Sequence, residues 1–316
     1  MGRIVYLSFP TGGVAGGQKM ILRHVETLRD LGFEAVVWRR PDAASPTWLE
    51  SDAPVEAGVR FRDGDVLVVP DDARSALADI SRAPFRQVVF VQNQFTLAAR
   101  ALEVLPAEPS AAFLTVGPTP RAAIRSLFPK AAIEVVPAFA DERRFKPGAK
   151  SEGVLYAPRK RPLEALAIRN LFRRLHPRHA QIRWTAAEGA SERQIAEAMA
   201  GSSLFLSLSR LESVGMTPLE AMACGCLVAG FTGLGGRDYA TAENGFWVEE
   251  DDCWAAADAM AAAADLARGG GPALQARLEA GFATAKAWSY EVFRQALEAA
   301  WMRLAPEARR REGPLD

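Results

Sequence analysis

The sequence predicts an α/β chain built from two Rossmann-like βαβ domains. Three observations carry this. Short apolar runs alternate with helical stretches from end to end, as parallel βαβ units require. A glycine-rich loop, Gly12-Gly13-Val14-Ala15-Gly16-Gly17, follows the first such run directly. A second strand–loop–helix–strand unit, residues 203–230, repeats the arrangement in the other half. At 316 residues the chain has room for two domains of the usual ~100–150 residues. Composition is that of a soluble globular protein, with 49% hydrophobic and 24% charged residues. A formal net charge of +0 argues against nucleic acid as a partner. No apolar run approaches the ~18 residues of a membrane span.

Residues 3–7 read as the first strand, which leaves no secretory leader. The helix expected over 18–31 gathers Met20, Ile21, His24, Val25, Leu28 and Leu31 on one face. Gly32 ends it, and 34–38 is the next strand. The glycine loop is not the dinucleotide fingerprint, because Val14 stands where a glycine is needed. It also misses the P-loop, since Gln18 takes the lysine's place. Its glycines let backbone approach a ligand with no Cβ between; a tight βα turn is the competing reading. Asp63-Gly64-Asp65 is turn chemistry before the strand at 66–69, not a metal motif. The strand at 88–91 ends in Gln92-Asn93-Gln94, at the sheet end where open α/β folds bind ligands. Strands at 113–116 and 133–136 complete the first domain, and 141–150, with Pro147-Gly148, reads as a linker.

The second domain opens with a strand at 154–157 followed by Pro158-Arg159-Lys160-Arg161-Pro162. A helix at 163–175, a strand at 182–184 and a helix at 192–199 come next. His176 and His179 read as surface residues. Leu204 to Leu208 is a buried strand, followed by a loop holding Glu212 and Gly215. A helix then opens with Thr217 as N-cap, Pro218 at its first position and Glu220 closing a capping box. Gly225 ends it. Cys224 and Cys226 read as reduced thiols of a cytoplasmic protein, and no Cys/His spacing suits zinc. Residues 251–266 form an alanine-rich helix, Gly269-Gly270-Gly271-Pro272 breaks the chain, and 290–304 is the last helix, with Arg309-Arg310-Arg311 in a frayed tail.

The string Pro218-Leu219-Glu220-Ala221-Met222-Ala223-Cys224-Gly225, with Glu212 separated from Glu220 by seven residues, resembles the retaining glycosyltransferases of the GT-B fold, in particular family four. The resemblance implies two Rossmann-like domains facing across a cleft. They would be a 1–146 acceptor-side domain, a 147–285 nucleotide-sugar domain, and a 286–316 segment whose helix crosses back. It implies a metal-independent transfer of a hexose or deoxyhexose, with a nucleotide-sugar as substrate and no cofactor. A glycan or glycolipid acceptor, bacterial surface polysaccharide synthesis and peripheral contact with the inner membrane face follow from the same likeness. Glu212 would hold hydroxyls of the transferred sugar and Glu220 the ribose. Arg159 and Lys160 (or Arg161) would face the diphosphate, with backbone groups of Val214, Gly215, Met216 and Thr217. Gly12 and Gly13 would lie opposite it, and Gln92, Asn93 and Gln94 on the acceptor side. The histidine many relatives carry near that place is absent, and Ser213-Val214 replaces the usual Gly-Phe. Two other readings share the fold: a sugar-nucleotide-binding scaffold without turnover, and a sugar-nucleotide epimerase.

Overall fold

The computed structural model describes residues 2–9, 13–40, 46–79 and 85–309. It divides into two compact units, Met1–Ala138 with Phe293–Asp316, and Phe139–Val292.

The first unit carries β1 (Ile4–Leu7), α1 (Gly16–Asp30), β2 (Ala35–Trp38), β3 (Val55–Glu56), β4 (Val66–Pro70), α2 (Arg74–Ala78), β5 (Arg86–Val91), α3 (Gln94–Thr96), β6 (Ala112–Thr115), α4 (Pro118–Leu127) and β7 (Ile133–Val135). Its sheet runs β3-β2-β1-β4-β5-β6-β7, parallel throughout. Strands covered on both faces must be apolar on both faces, which is why Ile4, Val5, Tyr6, Val88, Val89 and Phe90 are all fully buried. Asp65, from the turn before β4, takes the buried guanidinium of Arg3 at 2.9 Å and serves as an anchor for β1.

The second unit carries β8 (Ser151–Tyr156), α5 (Pro162–Leu175), β9 (Arg183–Ala186), α6 (Glu192–Gly201), β10 (Ser202–Glu212), α7 (Met216–Ala223), β11 (Leu227–Leu234), β12 (Phe246–Val248), α8 (Cys253–Gly269) and α9 (Gly271–Ala287). The helix α10 (Tyr290–Leu304) passes from this unit into the first. There Phe293 and Trp301 join Tyr6 and His24 in one aromatic cluster. The second sheet, also parallel, runs β12-β11-β10-β8-β9. Along β10 the side chains alternate. Leu204, Leu206 and Leu208 pack toward α5 and α8, while Phe205 packs with Ala221 and Met222 of α7.

Three expectations are corrected, and one helix was not foreseen. Residues 141–150 are no loose linker: Asp141 is fully buried, gripping Arg143 through two bonds of 2.7 and 2.8 Å, and Phe145 belongs to the second unit's core. Apolar Phe145, not Pro147-Gly148, sets the local behaviour. His179 is buried and bonded to Asp265 at 2.9 Å, with its ring stacked on Phe172. The glycine run breaks the chain for only one residue, Gly270, whose φ of +61° turns α8 into α9. The helix α9 escaped the reading of periodicity because its apolar residues do not gather on one side; only Gly281 and Ala285 are buried, against α7.

Two buried groups of the first unit oppose one another in pH. Asp71, following β4, accepts the Asn93 N–H at 2.9 Å, and burial pushes its carboxyl up to about 7, with like charge from Asp72 adding to the effect. Burial pushes His24 down to about 3. The raised acid loses stability as pH rises from about 4 to 7; the lowered base loses it as pH falls from about 6.5 to 3. Across the shared span of about pH 4 to 6.5 the two slopes cancel. Asp71→Asn is expected to uncover the histidine, so that stability climbs with pH by up to about 1.4 kcal/mol per unit below 6.5. Urea unfolding at stepped pH measures this, and a slope unchanged from the parent would contradict it.

Candidate donor site of the second unit

The strand order of the second sheet reverses between β8 and β10, and in doubly wound folds ligands bind above the carboxyl ends of strands at such a reversal. The segments leaving those two ends are 157–161 and 213–215. They carry the basic run and the first turn leading to α7.

β10 is longer than its apolar run suggested. Glu212 is its last residue, paired with Leu234, and does not lie in a loop. Ser209 pairs with Thr232 and Glu212 with Leu234, so Arg210 and Leu211 stand opposite Gly233 alone. This is a bulge, a device that re-aims a strand-end side chain. Leu211 (φ 48°) and Leu234 (φ 71°) both occupy the left-handed region, each costing about 1–2 kcal/mol, strain of the kind that gathers at functional sites. Gly235 makes the close approach feasible: a Cβ there would stand 2.3 Å from the Ser213 carbonyl oxygen and 2.4 Å from that of Glu212.

The basic run resolves into three roles. Arg159 is exposed and forms no ion pair with a described residue. Lys160 Nζ lies 2.6 Å from Glu212 Oε1, with the two side chains 31% and 26% exposed. Arg161 is buried. Its Nε donates to Ser209 O at 3.0 Å, its two terminal nitrogens pair with Glu250 and Asp251, and its plane covers the Phe231 ring at 4.4 Å. Glu250 in turn accepts from the Gly233 N–H at 2.8 Å and the Thr232 hydroxyl at 3.1 Å. Arg161 therefore clamps the ends of β10 and β11, and Lys160 is the cation beside the strand-end carboxylate.

The helix α7 starts two residues earlier than its proline suggests. Gly215 is the N-cap, Met216 and Thr217 lead, Pro218 sits third, and no side chain caps the start. The Thr217–Glu220 capping box does not form, because Thr217 is already a helical residue and not the N-cap. The N–H groups of Met216 and Thr217 thus stand at an uncapped, half-buried helix start, where backbone dipoles favour an anion. Ser213, Val214 and Gly215, which lead into it, are buried. The other end closes as a Schellman turn: Gly225 N–H reaches Met222 O at 2.9 Å, Cys226 N–H reaches Ala221 O at 2.9 Å, and Gly225 has φ +76°. Glu220 is buried in the second turn. Both Glu212 and Glu220 act on the Tyr239 phenol, so strand end and helix bring the two acids to one locality.

In the first unit, Gly12 lies outside the described residues and Gly13 is exposed. Gln92 packs on Gly17, whose missing Cβ would meet its amide at 3.0 Å. Asn93 caps α3, its oxygen accepting from Phe95 N–H at 2.9 Å and Thr96 N–H at 3.3 Å, and Gln94 is that helix's first residue. Sequence reasoning placed Gly235 and Tyr239 in a segment, 233–239, that resembles the family's Gly-Gly segment, but gave them no role and did not foresee the Arg161–Glu250 clamp; these roles arise from contacts between distant segments.

Residues 177–268, which hold this whole strand-to-helix segment, match the family model described as Glycosyl transferases group 1. An alpha-1,6-glucosyltransferase of Actinobacillus pleuropneumoniae serotype 7 (strain AP76) is 25% identical over 248 residues, 72% of each chain. Among solved structures, HepE of Anabaena in complex with UDP-glucose superposes with a TM-score of 0.71 at 15% identity, over 96% of this chain and 100% of that one. A sucrose-phosphate synthase of Thermosynechococcus elongatus gives 0.69 at 15% identity, over 97% and 100%. The chain resembles the group 1 glycosyl transferases and has their GT-B fold, with one Rossmann-like unit in Met1–Ala138 and one in Phe139–Val292.

Proposed function

We propose that this chain is a retaining, metal-independent glycosyltransferase that moves a hexose from a nucleoside-diphosphate sugar to a glycan or glycolipid acceptor. The observation that carries the reading is the uncapped start of α7 beside the Lys160–Glu212 pair, at the reversal of strand order. A leaving diphosphate needs fixed positive charge. The Met216 and Thr217 N–H groups supply oriented dipoles, and Lys160, paired with Glu212, supplies the cation. An ion pair that still reaches solvent, as this one does at 31% and 26% exposure, is worth on the order of 1 kcal/mol, so a polyanion can draw Lys160 away from Glu212 at small cost. Glu212 is then left to accept hydrogen bonds from the sugar's hydroxyls, and Glu220 from the ribose. In the transfer the bond from sugar C1 to the diphosphate oxygen breaks. The acceptor oxygen joins C1 on the same face, and the acceptor's proton leaves on the departing phosphate. Arg159 reaches the same anion. The donor is held by the second unit, and the acceptor by the first, around Gln92. Two similar proteins, one a glucosyltransferase and one solved with UDP-glucose, make UDP-glucose the first donor to test.

The test is thermal unfolding against a panel of nucleotide sugars, followed by transfer or donor hydrolysis with whichever shifts the midpoint. Binding at 100 times Kd stabilises by about 2.7 kcal/mol, a clear shift. Glu220→Ala is expected to remove the shift. Intact protein that responds to no donor would overturn the reading. A donor that binds and is never transferred or hydrolysed would point instead to a binding protein without turnover, which the use of the Asn93 side chain as a helix cap favours.

A further inference from the structure

Tyr239 follows the short 3-10 turn Gly235–Asp238 and is 5% exposed. Its hydroxyl donates to the Gly215 carbonyl oxygen at 2.6 Å, the carbonyl of the residue that opens α7. Its backbone is held as well, since Asn244 Nδ2 donates to Tyr239 O at 2.6 Å. Trp247 and Trp288 meet its ring edge-on, at 6.3 and 5.9 Å between centroids. The fit around the hydroxyl is close: a Cβ on Gly215 would stand 2.9 Å from it, and one on Gly236 3.3 Å. Burial, then the charges of Glu212, Glu220 and Asp238, push the phenol well above its ordinary pKa. It remains a donor at any working pH.

Resting on the donor-site reading above, we propose that Tyr239 is a positioning residue of the donor site. Its hydroxyl fixes the Gly215 peptide so that the Met216 and Thr217 N–H groups point at the donor's diphosphate. The Gly215 carbonyl starts the helix, and its orientation sets that of the peptides after it. An isolated glycine at an N-cap is the residue least able to hold that orientation by itself. The phenol supplies from the side what a capping side chain would supply from above, and it leaves the helix start open. A serine or aspartate cap would satisfy the same turn but would place its own oxygen where the phosphate belongs.

The experiment uses the full chain and UDP as probe, with UMP alongside. Tyr239→Phe keeps the ring and its packing but deletes one buried hydrogen bond, so the thermal midpoint without ligand should fall by no more than a few degrees. UDP affinity should fall about 3- to 10-fold, the worth of one neutral hydrogen bond, and UMP affinity should fall less, because fewer of its oxygens reach the helix start. Gly215→Ala provides the second arm. In the parent its Cβ collides with the hydroxyl, whereas in Tyr239→Phe that obstacle is gone, so the two changes should couple by about threefold or more in UDP affinity. Parent protein that binds UDP, with Tyr239→Phe binding equally well and the two changes additive, reduces Tyr239 to packing and overturns the proposal alone. Parent protein that binds neither nucleotide overturns the donor-site reading and the proposal with it.

Discussion

Glu212→Gln is expected to lower transfer turnover by about 10²–10³-fold, the usual cost of removing one preorganised polar group from a reacting centre, while UDP binds at least as tightly as before. The opposed signs come from the geometry. Glu212 Oε1 holds Lys160 Nζ at 2.6 Å, and Lys160 is the only lysine on the run that leaves β8. The amide keeps the shape of the carboxylate but releases the ammonium, so a diphosphate meets a cation with no rival anion. The carboxylate's proposed second task, stabilising the positive charge that builds at C1 while it accepts from sugar hydroxyls, goes with its charge, although the amide oxygen still accepts. A glutamate that served only to neutralise Lys160 would leave turnover within a few-fold of the parent. Steady-state kinetics with titrated donor, beside UDP affinity by calorimetry, separates the two. A fall in both quantities together would show instead that the pair holds the site in shape.

The sequence marked the strand-to-helix segment because its signals are local. Pro218 near a helix start, Gly225 at its end and an apolar run before it each act within a turn or a pairing of the residues that carry them. The same locality explains the errors. Thr217-x-x-Glu220 is a sound capping box by spacing, yet the helix opens at Gly215, whose carbonyl accepts from Tyr239, 24 residues on. Glu212 reads as a loop residue because a bulge hides strand continuation from any period-2 pattern. Arg159, Lys160 and Arg161 are equivalent as letters; Glu250 and Asp251, some 90 residues away, make one of them structural. Fold class was legible because it follows from the order of apolar runs, whereas the division of labour among neighbouring cations was not.

That division yields the largest expected effect on stability. Arg161→Met is expected to cost about 3–5 kcal/mol, because removing one partner of a buried ion network strands the other. Asp251 is 65% exposed and can return to water. Glu250, 21% exposed, cannot do so freely, since its other oxygen is fixed on Gly233 N–H and the Thr232 hydroxyl at the end of β11. Methionine fills much of the arginine's volume and keeps contact with Phe231, so the loss measures charge and hydrogen bonds more than a cavity. For a unit of this size the thermal midpoint should fall by roughly 10 °C. Adding Glu250→Gln removes the stranded charge while its amide oxygen still accepts from Gly233, so the double variant should recover part of the fall. A midpoint within a few degrees of the parent for Arg161→Met, or no recovery in the double variant, would show that the ends of β10 and β11 are held by other means. Arg161 would then be free for the diphosphate after all.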